Sequence, residues 1–151
     1  NSCVPASLAT VLGRRGEERK ATELRLHKGA AEDGHDLYGP QFTSLEGVRV
    51  CNFDAGNAGL NELRAELAAN AWVVVQVFSS RWMDNLPAGT NPGPNGTLTI
   101  RYHCVVLVGF EGDAFLVLDP FYSADNQPLE VSDDEMLTVL TGHALVVALS
   151  P

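Results

Sequence analysis

Tyr102-His103-Cys104-Val105-Val106-Leu107-Val108-Gly109-Phe110-Glu111-Gly112-Asp113-Ala114-Phe115-Leu116-Val117-Leu118-Asp119-Pro120 contains two β-branched, apolar runs separated by a short polar break. Such runs, bounded by turn residues, are strands, and apolar residues on both faces place them centrally in a sheet. The expected strands are Thr97 to Gly109 and Ala114 to Asp119. Phe110-Glu111-Gly112 fits a three-residue hairpin loop, a type I turn followed by a residue with positive φ, which Gly112 supplies. That loop sets Gly109 opposite Asp113. Continued along the ladder, it sets His103 directly opposite Asp119, on one face, with Cβ atoms about 5 Å apart.

Outward from this hairpin the character of the chain divides. Trp72 to Phe78 (WVVVQVF) and His143 to Leu149 are further strands by composition, while Arg81 to Gly96, with Pro87, Pro92 and Pro94, has the turn chemistry of a surface loop. Ser132 and Glu135 fit a capping box ahead of a helix at Met136 to Leu140. Upstream, helices dominate: Cys3 to Leu12 closed by Gly13 and Gly16, amphipathic Glu17 to His27, and Leu60 to Asn70. Gly29 to Phe42 is loop-like, and Thr43 with Glu46 suggests a cap for one more short helix. Helices first and a mostly antiparallel sheet afterwards define an α+β protein. No repeat, linker or low-complexity tract divides the chain, so residues 1–151 are expected to form one domain.

Composition narrows the chemistry. A net charge of −9 and the lack of a Lys/Arg cluster argue against nucleic acid as a partner. No apolar run reaches the length of a membrane span. Three cysteines are too few, and odd in number, for a disulfide framework and are read as thiols. The chain begins at Asn1 without a signal-like segment, as expected of a processed product, an excised domain or part of something longer.

Cys3 stands where an apolar helix begins, in Asn1-Ser2-Cys3-Val4-Pro5-Ala6-Ser7-Leu8-Ala9. The first N–H groups of a helix lack intrahelical partners and carry partial positive charge, which stabilises a thiolate, the nucleophilic form. Ser2 is a candidate N-cap. Of His27, His35, His103 and His143, His103 stands in the most apolar strand and has Asp119 as its partner. A carboxylate bonded to one imidazole nitrogen fixes the tautomer and leaves the other nitrogen for a thiol. The same residues equally fit a satisfied core histidine and an aspartate that starts a turn before Pro120.

The chain resembles the bacteriocin-processing (double-glycine) peptidases within the papain-like cysteine peptidases. The resemblance rests on the Asn-Ser-Cys-x-Pro-Ala-Ser-Leu-Ala segment, the His103-Cys-Val-Val-Leu-Val-Gly strand and Leu118-Asp119-Pro120, with Leu63 to Val77 in the matching order. It implies a papain-like fold, N-terminal helices packed on an antiparallel sheet, with Cys3 as nucleophile, His103 as base and Asp119 as the residue that orients it. It also implies a peptide or protein substrate, no cofactor and no metal. Two positions depart from the family pattern. Val4 follows the cysteine where relatives have Gly, and only Asn1 and Ser2 precede it where relatives place an oxyanion-hole Gln, so that Gln is expected upstream of Asn1. An acyl transferase using the same three residues, or a peptide-binding relative without turnover, are the alternatives.

Other residues carry bland readings. Cys104 must point to the face opposite His103 and, like Cys51, is read as a buried apolar thiol. His35, between Asp33 and Asp36, lacks a further ligand at metal spacing and reads as solvated loop. Asn52 to Asn57 reads as a turn, without the ligand spacing of a calcium loop. Trp82 either lines a cleft or pins its loop.

Overall fold

Ala71–Phe78 (β2) and Tyr102–Glu111 (β3) form the centre of a six-stranded antiparallel sheet. The computed structural model describes residues 3–17, 24, 45–84, 102–120 and 127–150. The other strands are β1 (Val48–Asn52), β4 (Ala114–Leu118), β5 (Leu129–Ser132) and β6 (Leu140–Ala148), in the spatial order β1-β6-β2-β3-β4-β5. The described helices are α1 (Cys3–Arg14), α2 (Asn57–Ala68), α3 (Ser79–Asp84) and α4 (Asp133–Val139). The mixture of helices and antiparallel sheet agrees with the α+β expectation.

Because β2 and β3 are apolar at consecutive positions, each face of the sheet carries its own core. On one face, Val74, Cys104, Val106 and Leu145 pack against Val4, Leu8, Val11 and Leu12 of α1, with Leu24 and Leu45 completing the cluster. On the other, Val73, Val75, Val77, Val105 and Leu107 pack against Leu60 and Leu63 of α2, Trp82 of α3, and Met136 and Val139 of α4. Each fully buried aliphatic side chain contributes about 1.5–3 kcal/mol, so both layers are needed.

The α1 helix buries Val4, Leu8, Val11 and Leu12, the spacing of a single helical stripe. It stops where two glycines lead out. Gly16 has φ 86°, Gly16 N–H bonds the Gly13 carbonyl at 3.1 Å, and Glu17 N–H bonds that of Leu12 at 2.8 Å, the paired bonds of a Schellman ending. Arg15 then ties this end to the sheet, donating to the carbonyls of Glu46 and Ala148. The capping box before α4 forms as expected, Glu135 N–H to Ser132 Oγ at 3.2 Å and Ser132 N–H to Glu135 Oε2 at 3.3 Å. In α2, Gly59 lies against the Asp54 carbonyl so closely that a Cβ would fall 1.5 Å from its oxygen.

Several expectations change. Leu45 to Gly47 form a turn leading into β1, a strand absent from the sequence reading, rather than the start of a helix capped by Thr43. The strand is short, and only partner β6 reveals it. The helix expected at Glu17 to His27 falls outside the described residues apart from Glu17, which is not helical, and Leu24, which is helical and buried. The loop at Gly29 to Phe42, His27, His35, Ser2 and residues 85–101 also lie outside them. Residues 79–84, assigned in part to a surface loop, are the helix α3.

The hairpin is also corrected. Its turn is tighter than expected, because β3 runs to Glu111 and pairs it with Ala114, leaving only Gly112 (φ 56°) and Asp113 between. Gly109 therefore faces Leu116, not Asp113, and a register shift between Leu107 and Gly109 then brings Val106 opposite Leu118.

Candidate active site

The register shift decides which residues meet. Paired residues of an antiparallel ladder project to one face, and a one-residue slip exchanges the faces. With the register of the turn carried onward, Asp119 would stand on the face of Val106 and Cys104. The bulge at Val108 absorbs one residue, so the continuation places Asp119 beside Val105, on the face of His103. The two are diagonal neighbours rather than directly opposite. Long polar side chains bridge that diagonal, and His103 Nε2 and Asp119 Oδ1 are 2.8 Å apart.

Both residues are 1% exposed. Asp119 is held from three sides. Trp82 Nε1–H donates to Oδ2 at 2.8 Å. Gln127 brackets the backbone, its Oε1 accepting from Asp119 N–H at 2.7 Å and its Nε2 donating to the Asp119 carbonyl at 3.0 Å. Gln127 precedes a cis proline, Pro128.

Cys3 is the first residue of α1 and only partly buried. It reaches His103 from the other face of the sheet, around the end where β3 begins. One turn further along α1, the buried Ser7 hydroxyl donates to the Cys104 carbonyl at 3.3 Å, fastening the helix to the residue next to His103. Burial alone would push the imidazole down. The Asp119 hydrogen bond, the interaction with the nearby Cys3 and the charge of Asp119 outweigh it and raise His103 to about 9. At neutral pH the ring is therefore a cation between a carboxylate and a sulfur. Such a placement can support a thiolate–imidazolium pair, the chemistry of a nucleophile with its proton donor alongside.

The remaining cysteines separate from this site. Cys104 is fully buried among the α1-face side chains, as its place next to His103 required. Cys51 is not a buried thiol. It stands half-buried on strand β1, lining an open pocket of about 230 Å³ with Phe53, Leu63 and Ala144. His143 pairs its Nδ1 with Asn52 Oδ1 at 2.9 Å across β6 and β1, away from the cluster.

Sequence reasoning brought forward Cys3, His103 and Asp119, which the fold gathers at one end of the sheet. The sequence does not point to Gln127 or to the fastening role of Ser7, and Trp82 stands in the helix α3 rather than in the expected loop. Trp82 is instead buried to 1% exposure. A tryptophan amid turn residues, four positions after a strand, was the one available signal. Nothing local marks Gln127.

The model of the Peptidase_C39 like family matches residues 1–138. The chain belongs to that family. Its fold is similar to the crystal structure of a C39-like peptidase from Bacillus anthracis, with 19% identity, TM-score 0.64, and coverage of 97% of this chain and 88% of the other. It is also similar to the peptidase domain of Streptococcus ComA, a bifunctional ABC transporter involved in quorum sensing (18% identity, TM-score 0.62, 97% and 91% covered). A double-glycine-motif protease from an AMS/PCAT transporter, crystallised with a leader peptide, matches similarly (18% identity, TM-score 0.63, 97% and 84% covered). No curated protein sequence matches the chain.

Proposed function

We propose that this chain is a cysteine peptidase in which Cys3 attacks the scissile carbonyl, His103 moves the proton and Asp119 orients His103. The observation that carries this reading is the buried imidazole held between Asp119 and Cys3 with its pKa raised to about 9. Asp119 fixes a proton on Nε2, so Nδ1 is the nitrogen that exchanges a proton with the sulfur. Attack forms a C–S bond and a tetrahedral oxyanion. The imidazolium then protonates the departing amine as the C–N bond breaks, leaving a thioacyl-enzyme and neutral His103. Water, deprotonated by His103, releases the acid and restores the thiolate. The first N–H groups of α1, which lack intrahelical partners, are the donors this reading assigns to the developing oxyanion.

The substrate class proposed is a peptide, and a leader peptide ending in small residues is the most specific version. Support comes from the family and from the similar protease that holds a leader peptide. The test is competitive alkylation with substoichiometric iodoacetamide, followed by peptide mapping and assay of the Cys3→Ala chain. Preferential labelling of Cys3 over Cys51 and Cys104, with cleavage lost in Cys3→Ala, is expected. Equal labelling of Cys3 and Cys51 would sink the mechanism.

A further inference from the structure

We propose that Trp82 is a positioning residue whose indole N–H makes the site require aspartate, not asparagine, at position 119. The proposal rests on the functional reading above and adds a residue to it.

An indole nitrogen is a donor only. At 2.8 Å from Asp119 Oδ2 it demands an acceptor there. On the other side, His103 Nε2 lies 2.8 Å from Oδ1, and the useful tautomer keeps the proton on Nε2, again demanding an acceptor. A carboxylate accepts on both oxygens. A carboxamide accepts on one side and donates on the other. With its oxygen toward His103, an asparagine would press its NH₂ against the indole N–H, two donors face to face. Flipped, it would satisfy the indole but donate to Nε2, driving the proton to Nδ1, the nitrogen that must receive one from Cys3. Backbone movement offers no escape, because Gln127 bonds both the N–H and the carbonyl of residue 119, and residue 119 is buried. Trp82 itself cannot retreat. It is packed in the core under β2 and follows directly from the strand whose Val77 pairs with His103.

The consequence is a reversal between two substitutions. Asp119→Asn should lower kcat/KM by about 10⁴-fold, the scale seen when a catalytic histidine is forced into the wrong tautomer. Trp82→Phe, which removes the donor and keeps a ring, should lower it only about 10-fold. The double variant should be about 10- to 100-fold more active than Asp119→Asn alone, because the NH₂ can then occupy the vacated side; such non-additivity marks residues acting as a unit. A tryptophan that merely fills space would give a double variant worse than either single one.

A second readout needs no turnover. Imidazole ¹⁵N shifts of histidine-labelled protein, taken above the ring's titration, report the His103 tautomer. Nδ1–H is expected in Asp119→Asn and Nε2–H in both the wild type and the double variant. Nε2–H in Asp119→Asn with Trp82 intact overturns the proposal, as does a double variant no more active than Asp119→Asn. The tautomer result stands even where Trp82→Phe folds poorly. Failure of the peptidase reading is recognised separately, by wild-type Cys3 showing no preferential alkylation.

Discussion

The two faces of the central sheet do different work with neighbouring residues. Cys104 and His103 are adjacent in β3, and both are buried, yet Cys104 joins the apolar layer under α1 while His103 joins a polar group with Asp119 and Trp82. One thiol is sealed in hydrocarbon. The other, Cys3, starts the helix on that same face but meets the histidine of the opposite one at the end of the sheet. The difference teaches that a thiol meets the histidine here at the end of the sheet, where the two layers come together, and not through proximity in sequence.

The sharpest way to break this contrast is to exchange the roles of the two thiols. Cys3→Ala should reduce peptide cleavage by about 10⁴-fold or more with little change in the urea midpoint, since a partly exposed first-turn residue adds little packing. Cys104→Ala should do the reverse, keeping kcat/KM within about twofold and lowering unfolding free energy by about 1–2 kcal/mol for the lost volume. Loss of activity in Cys104→Ala with a retained fold would show that the faces are not separate.

Packing on the α1 face gives the next largest effect. Leu8 is fully buried there, and Leu8→Ala should destabilise by about 2–5 kcal/mol in a chemical denaturation series. Because Leu8 seats the helix that carries Cys3, the same variant should slow Cys3 alkylation. Met136→Ala, equally buried on the other face, should cost a similar amount of stability while leaving the Cys3 alkylation rate near that of the wild type.

The pH profile follows from the raised imidazole. With His103 at about 9, its cationic form persists upward from the ordinary histidine range near 6.5, so activity should hold through neutral pH and fall as pH rises through about 9. At pH 8 this is a ~30-fold larger imidazolium population than an unshifted histidine would have. A profile of kcat/KM whose alkaline limb lies near 6.5 would contradict the Asp119 and Cys3 contributions. The smallest effect is expected of Ser7→Ala, which removes the bond to the Cys104 carbonyl and should cost about 0.5–1.5 kcal/mol by thermal or urea unfolding.

Much of this site was legible because its determinants are local. The helix at Cys3 declares itself by a stripe of Val4, Leu8, Val11 and Leu12, and β2 and β3 by unbroken β-branched runs. The pairing of His103 with Asp119 was also anticipated, though through the wrong register. The expected three-residue turn and the actual two-residue turn differ in register, and the bulge at Val108 restores the shared face. Two departures from the simple ladder combined to leave the pair in contact, one step along the diagonal.

What the sequence by itself determined is therefore the elements and the chemical types: an apolar helix opened by a thiol, two central strands, and a histidine and an aspartate at the ends of apolar runs. Periodicity and turn chemistry act over a few residues, and a reader can follow them. Only the tertiary structure decided that Trp82 leaves its loop-like surroundings to donate to Asp119, that Gln127 brackets that residue's backbone, and that Ser7 fastens α1 to β3. These bonds join residues 37, 8 and 97 positions apart, and they form because buried polar groups must find partners wherever packing brings them. No pattern along the chain encodes such a meeting, since it depends on the bulge, the layer order and the end of the sheet at which the helix arrives.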